Sequence, residues 1–492
     1  MSTDAVVRQN STDSSRLLDI EPRLRPRREL SLDRFIYIGL FSCTGAAFLW
    51  MVRAANLQAV LTGEEASVTF VDVVAIGERF QWTNFSTNFA SHIVFWVGSL
   101  VDPSFDLFYG RIVKAILMAL LAPLLYLTMR RRFQSSPVPA AIAALVGVAL
   151  PGVISFSWLA TETGFDAIAG LVGLLVATSK RSWWWTAPVF AGVCVSLYGG
   201  GIPWALAIGA AIAVRLVSSF RQDWRAWSAV ASSSLAALTV VFFPVYWWRG
   251  GRVVLGGGSL DLSEPWVALS DLFAGNVIGA QSYYYFNNQA GLGSVGIALI
   301  GLAGLFWLMV ELPRVWPWLF VLTATIAMYA VSGGILGIRR TIAIPLICAL
   351  AIGFILQRLA DRVRELHRAA PAVALGIMAV ILLAPLGTQA SENHLSLATG
   401  VVPLPIDFVL PLGSEGKMPA EIAAIAQSVR DGRSWLDVAR AYEGTRVSAI
   451  IYLLSDRGAI EPVPVTGSTV KRLYEQGPRC DSSCTPIMGL QY

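Results

Sequence analysis

The sequence predicts an all-α polytopic membrane protein with about eleven transmembrane helices. Three observations predict it. Hydrophobic residues make up 55% of the 492-residue chain and charged residues only 14%, against about 25% charged in an ordinary soluble domain. The apolar residues come in uninterrupted runs of about 17–22, enough to cross roughly 30 Å of hydrocarbon at about 1.5 Å per residue. The charges gather at the ends of those runs, with arginines concentrated on one side. Such runs must be helices, because a chain in lipid has to satisfy its own backbone hydrogen bonds.

Residues 1–34 are polar and Arg-rich. They are too long and too charged for the n-region of a signal peptide, and no small-residue cleavage site follows the first apolar run. They read as a disordered cytoplasmic tail. Its basic stretch, residues 23–34, is either a plain topology signal or a contact with lipid headgroups.

The transmembrane domain follows as residues 35–389. Its spans fall at about 35–52, 112–129, 138–158, 166–178, 184–199, 202–218, 227–247, 294–311, 316–333, 341–357 and 370–388, with boundaries good to roughly 2–4 residues. Gly199, Gly200, Gly201 and Pro203 separate the fifth span from the sixth, which predicts a tight helical hairpin. Residues 91–101 (SHIVFWVGSLV) are too short to span and read as an amphipathic helix along the outer interface.

Orientation follows from the basic residues. With the N-terminus inside, the inner segments carry seven arginines in the tail, then Arg130, Arg131, Arg132, Lys180, Arg181, Arg215, Arg221, Arg225, Arg314, Arg358, Arg362, Arg364 and Arg368. The outer segments before residue 390 carry only Arg53, Arg79, Arg111, Lys114, Arg249, Arg252, Arg339 and Arg340. This bias places the N-terminus in the cytoplasm, and an odd number of spans puts residues 390–492 outside as an extracytoplasmic C-terminal domain. Lys114 and Arg215 lie near span ends and read as snorkelling side chains. Trp183–Trp185, with Trp316 and Trp318, read as an inner aromatic belt. The composition looks bacterial, and the membrane is read as the plasma membrane. The net charge of +5 reflects this topology and not a nucleic-acid-binding face.

Two outer loops are long, 53–111 and 248–293. The second holds three successive glycines and the run Tyr283–Phe286. It is either a mobile lid or an ordinary interfacial loop. No internal repeat is visible, which weighs against an inverted-repeat transporter.

Cys43, Cys194 and Cys348 fall inside spans and read as small packing residues. Cys480 and Cys484, in the outer segment, are spaced for a small disulfide loop, with free thiols as the alternative.

The chemistry-bearing residues cluster on the expected outer side. Glu162 and Asp166 sit in a very short second outer loop, and about a dozen apolar residues follow Asp166. Asp166 either faces a polar cavity or is a solvated loop carboxylate. Arg339 and Arg340 run against the topology bias and open a span directly. Their anionic partner is either a lipid headgroup or the phosphate of a lipid-linked substrate, which guanidinium groups bind through paired hydrogen bonds. The three histidines are far apart, so neither a metal triad nor a Ser–His–Asp arrangement is supported. No phosphate-binding loop, dinucleotide fingerprint or zincin motif is present.

Three segments carry a resemblance. DLFYGRIVKAILMALLAPLLYLTMRRR (106–132), TETGFDAIAGLVGLLVATSKR (161–181) and GIRRTIAIPLICALAIG (337–353) resemble segments of the polyprenyl-phosphate-sugar glycosyltransferases of the GT-C membrane fold. The stretch EIAAIAQSVRDGRSWLDVARAYEGTRVSAIIYLLSDRG resembles the small α/β-type segment that many members carry after the last span. The family's acidic pair after the first span is matched by GERFQW, with Glu78 alone and Gly77 in place of the first acid. The resemblance implies transfer of a sugar from a polyprenyl-phosphate donor to a glycan, lipid or protein acceptor, with inversion. Glu78, with Asp72 in reserve, would be the general base. Arg339 and Arg340 would stabilise the leaving phosphate. Glu162 and Asp166 would hold the acceptor or a divalent cation, magnesium or manganese. The competing readings are a transporter or flippase of lipid-linked glycans and a non-catalytic membrane assembly protein.

Overall fold

The computed structural model describes residues 27–57, 60–62, 107–179, 183–197, 199–219, 224–237, 291–332, 342–366, 370–399 and 409–411, with residues 90, 91, 93–95, 266 and 431. In chain order the elements are α1 (Arg27–Leu57), β1 (Val60–Thr62), α2 (Leu107–Met118), α3 (Leu121–Arg131), α4 (Pro137–Ala149), α5 (Pro151–Ser157), α6 (Phe165–Ala177), α7 (Ala187–Leu197), α8 (Ile202–Ser219), α9 (Trp224–Ala237), α10 (Val295–Val310), α11 (Leu312–Ser332), α12 (Ala343–Leu366), α13 (Ala370–Thr399) and β2 (Val409–Pro411). Each apolar run expected to span coincides with a helix or consecutive helices over its described residues; of the run 227–247, residues 238–247 lie outside the described residues.

Among the described residues five stretches are each long and apolar enough to cross a membrane: Ser31–Ala55, Gly110–Arg131, Gly199–Val217, Ala343–Glu365 and Ala370–Leu395. A sixth is the pair α4–α5, which bends by 63° at the junction. The bend has a sequence cause. Leu150 adopts φ −57°, ψ 135°, the extended conformation forced on a residue preceding proline, and Pro151 then opens α5. Phe165–Ala177, Trp184–Leu197, Val295–Val310 and Val315–Met328 are shorter apolar helices.

The helices run alternately between two ends of a bundle. One end holds the start of α2, the α5–α6 turn and the α7–α8 turn. The opposite end holds Arg130–Arg132. The helix α12 is the central element, enclosed by α10, α4, α13, α11 and α3. By contrast α1 and α13 are peripheral and turn Phe35, Ile38, Trp50, Val373, Ile377 and Val380 outward, as a lipid-facing surface requires. Lipid provides no hydrophobic drive between helices, so close packing must hold the bundle together. Small residues make that packing possible: a Cβ on Gly304 would lie 2.6 Å from the carbonyl oxygen of Ala351, so α10 and α12 touch backbone to backbone there.

The expected hairpin between the fifth and sixth spans is present as α7 and α8, joined through a 3₁₀ turn, Gly199–Gly201. A side chain at Gly201 would collide with the carbonyl of Cys194.

The arginine end is stitched by buried polar contacts that the topology reading treated as free charges. Arg130 pairs with Asp33 of α1, Nε to Oδ1 at 2.9 Å, and donates to the Ser135 carbonyl at 2.6 Å. The Tyr126 hydroxyl donates to the same carboxylate. Arg132 donates to the Leu175 carbonyl at 2.7 Å, and Arg215 donates to the carbonyls of Ala177 and Ser179. Two cations thus cap the C-terminus of α6, where its dipole favours them. Gln357 of α12 accepts from the Ser136 N–H at 2.6 Å, and Arg358 pairs with Glu311.

Several boundaries differ from expectation. Helix α1 begins at Arg27, inside the tail predicted as disordered through residue 34, because Asp33 is drawn against α3 by Arg130. Helix α13 continues to Thr399, across the boundary placed at 389/390, and stacks His394 on Trp50 with ring centroids 3.5 Å apart. Beyond it, β2 pairs antiparallel with β1, Leu61 opposite Leu410, so the segments following the first and last helices meet. Residues 90, 91 and 93–95 are helical, with Ser91 and Phe95, one face of that segment, buried within the protein; residues 92 and 96–101 lie outside the described residues. Trp318 is packed against Phe133 and Trp184 lies under Arg215, so neither belongs to an exposed belt. Arg215 likewise does not snorkel. Cys194 and Cys348 are packing residues as expected, while Cys43 is exposed on α1.

Candidate functional site

The strongest concentration of buried charge lies where α2 meets the α5–α6 turn. Residues 151–167 are buried without a break, which is unusual for a segment that contains a connection, since buried turns carry carbonyls and amides that must find partners. Here the partner is a lysine. Lys114 of α2 is fully buried; its ammonium donates to the carbonyl of Thr161 at 2.7 Å and to the carbonyl of Thr163, and lies 4.2 Å from the centre of the Phe165 ring. Arg111, three residues earlier and on the same helical face, is also buried. Its guanidinium stands over the Trp158 ring at 5.3 Å.

The turn closes on two acids. Glu162 and Asp166 are 6% and 4% exposed, so the two candidate carboxylates in the described part are not solvated loop residues. Asp166 Oδ1 accepts from the Gly164 N–H at 3.1 Å. Gly164 has φ +94°, and only a residue without a Cβ holds this conformation cheaply. Met118 and Ile342 pack on the face where its side chain would be. Phe165 meets Phe95, ring centroids 5.6 Å apart. Ser91 donates to the carbonyl of Leu197, which brings the short helical segment of the first long loop against the site.

The formal charges of two cations and two carboxylates balance in this cluster. That is the condition under which four charges can be buried together, because each alone would cost several kcal/mol of desolvation. Among the described residues, two buried hydroxyls here, Thr161 Oγ1 and Ser155 Oγ, have no hydrogen-bond partner. Among the described residues no group of three or more His, Cys, Asp or Glu side chains is arranged around a metal position.

Of the residues singled out from sequence, Glu162 and Asp166 are brought together in this turn. Glu78, Asp72, Arg339, Arg340, Cys480 and Cys484 lie outside the described residues. Ile342, two residues after Arg340, packs beside Gly164. The residues that sequence reasoning missed are Arg111 and Lys114. Counted as outer topology charges, with Lys114 snorkelling, they are instead buried against the turn. The signal was available: the argument that an acid leading into a long apolar run is costly applies equally to a lysine followed by AILMALLAPLLYL.

The bundle has a GT-C-like fold, as its likeness to solved structures shows. Solved structures share it. ArnT from Cupriavidus metallidurans in the apo state matches with a TM-score of 0.50 over 90% of this chain and 91% of that one, at 12% identity. The same protein bound to undecaprenyl phosphate matches at 0.49 over 90% and 92%, also at 12% identity. No protein-family model and no curated protein matches the chain.

Proposed function

We propose that this protein is an integral-membrane glycosyltransferase that moves a sugar from a polyprenyl-phosphate donor to an acceptor on the outer face of a bacterial plasma membrane. The observation that carries this reading is the buried, formally charge-balanced cluster of Arg111, Lys114, Glu162 and Asp166 at one end of a GT-C-like bundle. A cluster so costly to bury is what a site for a charged headgroup entering from the membrane would need. The fold shared with ArnT, a GT-C glycosyltransferase, supports the class.

In this reading Glu78, backed by Asp72, takes the proton of the acceptor hydroxyl as its oxygen bonds to the anomeric carbon. The bond from that carbon to the phosphate oxygen breaks through an oxocarbenium-like state, and the lipid phosphate leaves with the bonding electrons. Arg339 and Arg340 neutralise it. Glu162 and Asp166 hold the acceptor. They are also hard oxygen donors of the kind magnesium or manganese takes, and such a cation would supply charge for the phosphate. The N-terminus lies in the cytoplasm and residues 390–492 outside, with Cys480 and Cys484 bridged.

The transporter reading predicts charges along a path through the bilayer. Among the described residues the buried charges, Asp33, Arg111, Lys114, Arg130, Glu162 and Asp166, sit at the two ends of the bundle and not between them.

The test is transfer by the detergent-purified full chain from polyprenyl-phosphate sugars. Asp166→Asn, Glu78→Gln and Arg340→Ala are expected to lower turnover by about 100-fold or more. Equal turnover in all three would overturn the residue roles. No turnover by the wild-type chain with any such donor would favour the non-catalytic assembly protein.

A further inference from the structure

We infer that Lys114 is a positioning residue, which together with Arg111 clamps the 158–164 turn and so sets the direction of Glu162 and Asp166. The kinetic part of this inference rests on the transferase reading; the structural part does not.

The argument starts from where the ammonium donates. A lysine that merely balanced charge would need only to lie near a carboxylate. Lys114 donates to main-chain carbonyls, those of Thr161 and Thr163, which are the residues on either side of Glu162. Holding both neighbours fixes the backbone that carries Glu162, and the backbone conformation restricts the side-chain rotamers. The same ammonium lies over the ring of Phe165, the residue before Asp166. Gly164, between these points, is in the left-handed conformation, and its N–H is taken by Asp166. One cation therefore reaches the residue next to each carboxylate.

Arg111 anchors the other end of the turn through Trp158. The two cations are three residues apart on one rigid helix, so the turn is held at two points about one helical turn apart. Without this clamp the connection would keep two buried carbonyls without their charged donor, while its own contacts, Thr161 N to Leu159 O, Phe165 N to Glu162 O and Gly164 N to Asp166 Oδ1, join residues of the turn to one another and do not tie it to α2.

The experiment compares full-length wild type with Lys114→Met, Lys114→Gln and Lys114→Arg, alone and with Glu162→Gln. Two readouts are used: amide hydrogen exchange and steady-state transfer from a polyprenyl-phosphate sugar. In Lys114→Met, protection in residues 158–166 is expected to fall while residues 128–136 at the arginine end keep theirs. Lys114→Arg is expected to retain protection at both, and Lys114→Gln, which keeps two neutral N–H donors, to lie between. On the transferase reading, Lys114→Met lowers kcat by about 100-fold, the scale of a small misplacement of reacting groups, with donor KM changed by less than about threefold. Lys114→Arg recovers turnover to within about tenfold of wild type, and Lys114→Met with Glu162→Gln is no slower than the slower single variant.

Unchanged exchange at residues 158–166 in Lys114→Met overturns the clamp, as does loss of protection spread over the whole bundle. A raised donor KM with kcat retained overturns positioning in favour of direct donor contact. Fully additive losses in the double variant show that Lys114 does not act through Glu162. If wild type transfers no sugar, the transferase reading falls and the exchange data alone decide the clamp. If Lys114→Met does not fold, Lys114→Gln against Lys114→Arg carries the same comparison.

Discussion

Gly164 and Arg130 show how single residues serve the two ends of this bundle. Gly164 is held at φ +94° with Met118 and Ile342 against it. Gly164→Ala is expected to cost about 1–3 kcal/mol through backbone strain and to tilt the turn bearing Glu162 and Asp166. The expected readout is a lowered Tm in detergent with a larger proportional loss of transfer. At the other end, Arg130 and Asp33 are a buried pair whose remaining donors and acceptors go to Ser135 and Tyr126. Removing one partner of a buried pair leaves an uncompensated charge, so Arg130→Met is expected to destabilise by about 3–5 kcal/mol. Pairing it with Asp33→Asn should recover part of that loss. Thermal unfolding of the two singles and the double checks this; additive losses would mean that the two residues do not act as a pair.

At the scale of elements, packing depends on where small residues lie. The α10–α12 contact has Gly304 on the backbone of Ala351, and the α7–α8 hairpin has Gly201 on the backbone of Cys194. Neither neighbour can move aside as a flexible side chain could. Gly304→Leu is therefore expected to abolish the folded state, while Gly376→Leu on α13, where nothing lies within 4 Å of a Cβ, leaves stability within about 0.5 kcal/mol. Size-exclusion profile and melting temperature distinguish the outcomes. The elements were legible in sequence because apolar run length and glycine clusters are local properties, as the glycines at 199–201 show, whereas the bend at Pro151 inside the run 138–158 was not anticipated. Which helix face meets which neighbour was not, because contacts such as Gly304 with Ala351 join residues far apart in the chain.

For the whole molecule, the direction of insertion is the remaining physical question, and the arginine bias answers it as an expectation. Gln134 at the arginine end and Glu392 near the other end are both exposed. In a background lacking Cys480 and Cys484, Glu392→Cys is expected to react with a membrane-impermeant maleimide on intact cells. Gln134→Cys should react only after permeabilisation. The reverse pattern would invert the topology and move the candidate site to the cytoplasmic face. Labelling of the native chain by the same reagent at Cys480 and Cys484 is expected only after reduction, as a disulfide between them requires.

The sequence by itself determined that the chain is a helical membrane bundle, roughly which segments form its helices, and that Glu162 and Asp166 are candidate site residues. It could do so because lipid imposes run length, helicity and charge placement on the local chain. Only the tertiary structure decided that Lys114, Arg111 and Arg130 are buried partners and not surface topology charges. A charge at the end of an apolar run can face water, lipid headgroups or another helix, and sequence position is the same in all three cases. The choice depends on what α5, α6 and α1 bring alongside: here two carbonyls flanking Glu162, the ring of Trp158 and the carboxylate of Asp33.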